Sequence, residues 1–206
     1  MLTIVLLLLG WSGFVLGTLA LGIWLRRNRT RENAERTSRV VHFLYFAGLV
    51  FPGVLAIVWP GLNHLDEVVG IPPLPFQPIS LILGIVAVSI GLYLGVASTR
   101  ALKILGSGAN AFVLTKRVVE SDIYTVTRNP MSLGYYLVCV GVGLVVGSTF
   151  VTVGTLVGMI PAHLFFLKYF EELELELRFG QAYLEYKRKV PFLIPRLTVG
   201  ILQPRD

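Results

Sequence analysis

The stretch RNPMSLGYYLVCVGVGLVVGSTFVTVGTLVGMIPAHLFFLKYFEE, running from Arg128 to Glu172, decides the architecture. From Asn129 to Leu167 it holds 39 residues without an Asp, Glu, Lys or Arg. A helix needs about 20 apolar residues to cross hydrocarbon, so this run is long enough for two crossings. Gly147-Ser148, near its middle, is the natural turn. Two crossings return the chain to the side it left. Arg128 and the pair Glu171-Glu172 are therefore expected at one membrane face, close enough to form a site.

Three more apolar segments lie upstream, over residues 2–25, 41–59 and 79–98. The hairpin itself divides into 131–146 and 149–167. Pro52 and Pro161 fall inside apolar segments and are expected to bend their helices, Pro161 by leaving the carbonyl of Val157 without its donor. Pro72, Pro73, Pro75 and Pro78 predict an extended, non-helical second half for the connection 61–78. The first 25 residues carry no charge and form an apolar stretch too long for the core of a signal peptide. Arg26-Arg27 follows at once, so a retained membrane helix is expected.

The charges fix an orientation. Six arginines fall in 26–39, five basic residues in 99–128 and seven in 168–206, which accounts for all 18. Lys and Arg collect on the cytoplasmic side, and five spans put all three segments there. The expected fold is an all-α integral membrane protein of about five transmembrane helices, N-terminus outside and C-terminal tail cytosolic. Residues 1–98 would form a three-span N-terminal membrane region. Residues 99–206 would form a core with the helical hairpin and the tail.

Composition agrees. Of 206 residues, 54% are hydrophobic and 15% charged, against roughly 25% charged in a soluble domain. The net charge of +6 follows from topology, and no basic stripe interleaved with aromatics points to nucleic acid. Cys139 is the single cysteine, and His42, His64 and His163 are far apart in sequence, so no disulfide and no metal site are expected. Gly13 and Gly17, Gly91 and Gly95, Gly143 and Gly147, and Gly154 and Gly158 are pairs four apart that let helices approach closely.

The chemistry gathers at the ends of the hairpin. Glu171 and Glu172 sit within a turn or two of the bilayer edge, where an unpaired carboxylate is costly, and Arg128 is the partner the hairpin offers. Glu174, Glu176 and Glu185 read as a solvated acidic face. Asn129-Pro130 fixes the start of the fourth span. Gly106-Ser107-Gly108, just before it at the same face, permits close approach of a ligand to the backbone.

The ordered set Gly106-Ser107-Gly108, Tyr124, Thr127-Arg128-Asn129-Pro130-Met131, Leu133-Gly134, hairpin, Glu171-Glu172, Phe179-Gly180, Tyr183, Tyr186, Val190-Pro191 and Ile194-Pro195-Arg196 resembles the isoprenylcysteine carboxyl methyltransferase and phospholipid N-methyltransferase superfamily. The resemblance spans about residues 99–196. It implies an integral membrane enzyme that takes S-adenosylmethionine at the cytosolic face and a lipidic or prenylated acceptor from the bilayer. Residue by residue, it implies catalytic roles for Arg128, Asn129 and Glu172. It implies cofactor contacts from Gly106, Gly108, Tyr124, Arg128, Pro130, Tyr135, Glu171 and Glu172. Arg128 would take the cofactor carboxylate by charge-assisted hydrogen bonds. Glu172 would take the ribose or ammonium, and Tyr124, Tyr135 or Tyr136 the adenine or sulfonium. Asn129 stands where many carboxyl methyltransferases carry histidine, and Ser132 and Phe192 also depart from the common pattern. The acceptor stays open between a carboxylate and an amine. Two other classes compete: a sterol-reductase-like enzyme using NADPH, for which Arg178, Lys187, Arg188 and Lys189 are the candidate anion ligands, and a non-enzymatic scaffold or transporter. Partners are membrane lipids, the lipidic acceptor and a second copy of the chain, with no nucleic acid.

Overall fold

The computed structural model describes residues 1–106 and 114–195, and every regular element among them is helical. Helix α1 is Leu2–Arg27 and α2 is Arg31–Val58. A short helix α3, Leu65–Val69, follows. Then come α4, Gln77–Leu105, α5, Pro130–Val146, α6, Thr149–Phe179, and α7, Gln181–Lys189. Four of these, α1, α2, α4 and α6, are long and apolar enough to cross a membrane. Helix α5 is apolar but has only 17 residues, about 25 Å at 1.5 Å per residue, at the short end of what spans hydrocarbon. The outward faces of α1 and α4 carry Leu8, Leu9, Leu16, Ile82, Ile85 and Leu92, all exposed, which suits lipid contact. The segment 71–76 is non-helical, as its prolines require.

Residues 31–39, expected in a loop, are helical. Thr30 caps α2 by accepting from the Asn33 N–H at 3.1 Å, and Ala34, Thr37, Ser38 and Val41 form its buried face. A polar helix thus extends α2 beyond its apolar part, and its first turns pack on the tail of α6. Helix α4 likewise runs past residue 98 to Leu105.

Both proline bends are accompanied by a widened π turn, Phe46–Val50 before Pro52 and Thr155–Met159 before Pro161. Proline lacks the N–H that would bond four residues back, and in each case the residue before it reaches five back instead: Phe51 N–H to Phe46 O, Ile160 N–H to Thr155 O. A third π turn, Leu167–Glu171, has no proline and ends on the acidic pair. Single π turns of this kind recur at functional sites.

Glycines set close helix contacts, and between α4 and α5 their spacing is seven and not four. Helices α4 and α5 run side by side, and a Cβ placed on Gly91 would lie 2.6 Å from Gly134 O, while one on Gly84 would lie 2.8 Å from Gly141 O. Gly13 and Gly95 face open space. Two antiparallel helices meet along one line, and residues seven apart return to that line after two turns. The core proper lies between α1, α2 and α6, around Phe14, Leu25, Val41, Leu49, Phe166 and Phe170.

The hairpin turns where expected. Gly147 ends α5 in the left-handed region (φ 70°), and Ser148 caps α6 by accepting from Val151 N–H. Asp66, from the connection between α2 and α4, is buried against this turn and accepts from Ser148 Oγ (3.0 Å), Thr149 N–H (2.9 Å) and Phe150 N–H (2.7 Å). A buried carboxylate on the first N–H groups of a helix satisfies donors that would otherwise have none. Asp66→Ala is expected to cost about 1–3 kcal/mol, read as a lowered thermal midpoint in detergent. Glu67→Ala, on the exposed neighbour, is expected to leave the midpoint unchanged.

Candidate functional site

The site is built where the start of α5, the end of α6 and the segment after α7 meet. Thr127 and Asn129 flank Arg128, and the segment 190–192 stitches all three in place. Arg128 N–H donates to Pro191 O at 2.9 Å, Asn129 Nδ2 to Phe192 O at 2.9 Å, and Thr127 Oγ1 to Phe192 O at 3.2 Å. Pro130, fully buried, occupies the first turn of α5, where its missing N–H costs nothing. Gly180, at φ 57° and ψ −130°, makes the break between α6 and α7 that folds the tail back over this start. A side chain would strain that conformation.

The result is a buried ionic cluster. Arg128 Nη1 lies 3.0 Å from Glu172 Oε1, with the two side chains 6% and 10% exposed. Lys168 Nζ reaches the same oxygen at 3.2 Å. Lys187 Nζ bridges Glu172 Oε2 at 2.7 Å and Glu176 Oε1 at 2.8 Å. Burial opposes the charge on Lys187, but its hydrogen bonds to both carboxylates outweigh that and hold its pKa above the ordinary value. Three cations on two carboxylates leave one positive charge over. Arg128 also keeps a buried Nε–H without a hydrogen-bond partner.

Arg128, Asn129 and Glu171 line a cavity of about 500 Å³, within the size range of small-ligand sites. Tyr124, Tyr183, Tyr186 and Phe179 supply an aromatic wall. Tyr186 Oη donates to Tyr124 O at 2.8 Å and Arg128 Nη1 to Tyr183 Oη at 3.4 Å. Burial pushes all three phenols above their usual range, so they stay neutral. A second pair closes another side of the cavity. Glu174 and Arg178 are buried and joined at 2.7 Å, and Arg178 also donates to Thr115 O. Its Nε–H, like that of Arg128, is buried and unpaired. Helix α2 adds Ser38 and His42 to the lining.

Several of the expected site residues therefore stand together: Tyr124, Arg128, Asn129 and Glu171 on the cavity, with Glu172 holding Arg128 and Pro130 beneath them. Gly106 ends α4 near this cavity, its added Cβ meeting Leu102 O, Thr115 and Val119. Gly108 lies outside the described residues. Tyr135 stands apart: it lines a separate apolar cavity of about 260 Å³ between the helices, with Trp11, Cys139 and Met159. Tyr136 is turned toward His163, its Oη 2.8 Å from Nδ1. Glu174 is a correction, because it is 2% exposed rather than on a solvated face. Its spacing of four from Arg178 was the available signal. Lys168 and Glu172 carry the same spacing. Ser38 and His42 had no signal in their own segment.

Among the described residues no cluster of three or more His, Cys, Asp or Glu is placed to hold a metal ion. A family model described as phospholipid methyltransferase matches residues 79–182, half of the chain. No curated protein and no solved structure matches.

Proposed function

The chain belongs to the phospholipid methyltransferase family, and from that premise we propose that it transfers methyl groups from S-adenosylmethionine to an amine-bearing membrane lipid. The family points to a multi-pass membrane methyltransferase. The site then stands at the cytosolic end of the helices, where the basic segments lie.

The observation that carries the reading is the cavity with two buried, unpaired guanidinium N–H groups beside an ionic cluster that has one positive charge in excess. Buried donors without partners are rare unless a ligand supplies the acceptor. The cofactor fits this set: Arg128 would hold its carboxylate, Glu171 its ammonium or that of the acceptor, and the aromatic wall its adenine. Bound there, it would supply an activated methyl group. What the protein then contributes is alignment and exclusion of water. The locked Arg128–Glu172 frame gives the first, and the buried aromatic wall gives the second. An amine is favoured as acceptor because Glu171 reaches the cavity with no hydrogen bond or ion pair among the described residues, which leaves a carboxyl oxygen there to accept from an ammonium N–H.

Calorimetry in detergent with S-adenosylmethionine, S-adenosylhomocysteine and NADPH tests the donor. Binding of the first two and not the third is expected, and the reverse would replace this reading by a reductase. Methyl-labelled cofactor then tests the acceptor. Label is expected in phosphatidylethanolamine-type lipid and not as a base-labile ester on a prenylated cysteine analogue.

A further inference from the structure

The helix α2 lies wholly outside the matched residues 79–182, yet it contributes His42 to the cavity wall. We propose that His42 is the catalytic base that takes the proton from the acceptor's ammonium. This rests on the amine reading above.

The geometry of the ring carries the argument. His42 Nδ1 lies 2.7 Å from Ser38 O, one turn back on its own helix. A carbonyl oxygen only accepts, so Nδ1 carries the hydrogen and donates it. Nε2 of the neutral ring is then a lone-pair acceptor. It has no hydrogen-bond partner among the described residues, and His42 lines the cavity. Phe166 packs edge-on against the imidazole at 6.1 Å and 82°, which fixes the ring plane. An imidazole with one nitrogen tied to a carbonyl and the other open is the arrangement a general base requires. An ionisable side chain at the start of an apolar membrane segment also needs a reason to be there.

Placement agrees with the chemistry. The proton must leave before the displacement, because the electron pair that it frees is the one that attacks the methyl carbon. A base on an element other than those gripping the donor can take that proton without disturbing the grip. Arg128, Glu172, Lys168 and Lys187 come from the start of α5, from α6 and from α7, and α2 supplies none of them. Glu172 and Glu174 are taken up by cations, and Glu171 sits directly beside the donor grip. The proposed step is one proton transfer. The N–H bond of the ammonium breaks, its electron pair stays on nitrogen as the nucleophile, and an N–H bond forms at His42 Nε2. The imidazolium afterwards returns its proton to water.

The groups that set its protonation come from every side. Arg178 and His163 act on it from α6, and Glu171 and Glu174 of the same helix line the cavity with it. Arg117, Arg128 and the three tyrosines lie around the cavity.

Two variants separate catalysis from structure. His42→Asn keeps an amide donor where Nδ1–H stands and removes only the open lone pair, while His42→Gln removes the basic nitrogen at the far end. Both are expected to bind S-adenosylhomocysteine as the wild type does and to lose about 100-fold in kcat. The acid limb of the wild-type pH profile should be replaced by a rate that climbs steadily with pH, as the free amine becomes abundant. A near-normal rate and profile in His42→Asn would overturn the proposal. A further test needs no variant at position 42. In His64→Gln protein treated with diethylpyrocarbonate, mass spectrometry is expected to find His42 modified, and short-chain phosphatidylethanolamine is expected to protect it. Modification that the lipid does not prevent would also overturn it. Failure of S-adenosylmethionine to bind the wild type would instead remove the methyltransferase reading itself.

Discussion

Arg128→Ala is expected to weaken S-adenosylmethionine binding at least tenfold, about 1.4 kcal/mol, and to destabilise the fold by roughly 3 kcal/mol. Removing one partner of a buried ion pair leaves the other charge without compensation, which typically costs about 3–5 kcal/mol. The lower end applies because Glu172 keeps Lys168 and Lys187. Glu172→Gln should weaken cofactor binding by a similar factor, since it releases Arg128 and both lysines from their common oxygen pair. Glu185→Gln, on an exposed residue bonded only to Gln181, should change neither. Calorimetry and thermal unfolding of the three variants side by side decide the matter, and equal binding by all three would remove Arg128 and Glu172 from the site.

Gly91→Ala is expected to lower stability by about 2–3 kcal/mol, the upper part of the range for overpacking, whereas Gly95→Ala should be close to neutral. A methyl on Gly91 would stand 2.6 Å from Gly134 O and 2.9 Å from Val138 N, which are backbone atoms that move only with their helix. A methyl on Gly95 meets nothing within 4 Å. Because α4 carries the end that borders the cavity, separating it from α5 should also reduce methyl transfer. The thermal midpoints of the two variants in detergent provide the measurement. Equal midpoints would mean that α4 and α5 do not pack along their glycines.

These two positions differ in how far the sequence foretold them. Arg128 and Glu172 were expected at one face from the length of the uncharged run alone, and they stand 3.0 Å apart. Gly91 was seen as half of a pair with Gly95, but its true counterpart is Gly134 on another helix. The four-residue spacing describes one helix, whereas the contact depends on which face of α4 meets which face of α5. Glu174 was misjudged for a related reason. Alternation of Glu and Leu over 172–177 looks solvated on any regular helix. The polar start of α2 then packs on the end of α6 and buries Glu174 with Arg178.

Hydropathy and charge act locally, through the cost of placing each residue in hydrocarbon. Sequence was therefore sufficient for the apolar helices, the hairpin turn at Gly147-Ser148 and the meeting of a guanidinium with a carboxylate. Only the folded arrangement decided the rest. The π turn Leu167–Glu171 sets the register in which Glu171 meets the cavity while Glu172 meets Arg128. Helix α2 closes the cavity with His42, more than 80 residues before the nearest hairpin residue. Both outcomes come from packing between elements distant in the chain, where the energy belongs to pairs of surfaces and not to any one segment.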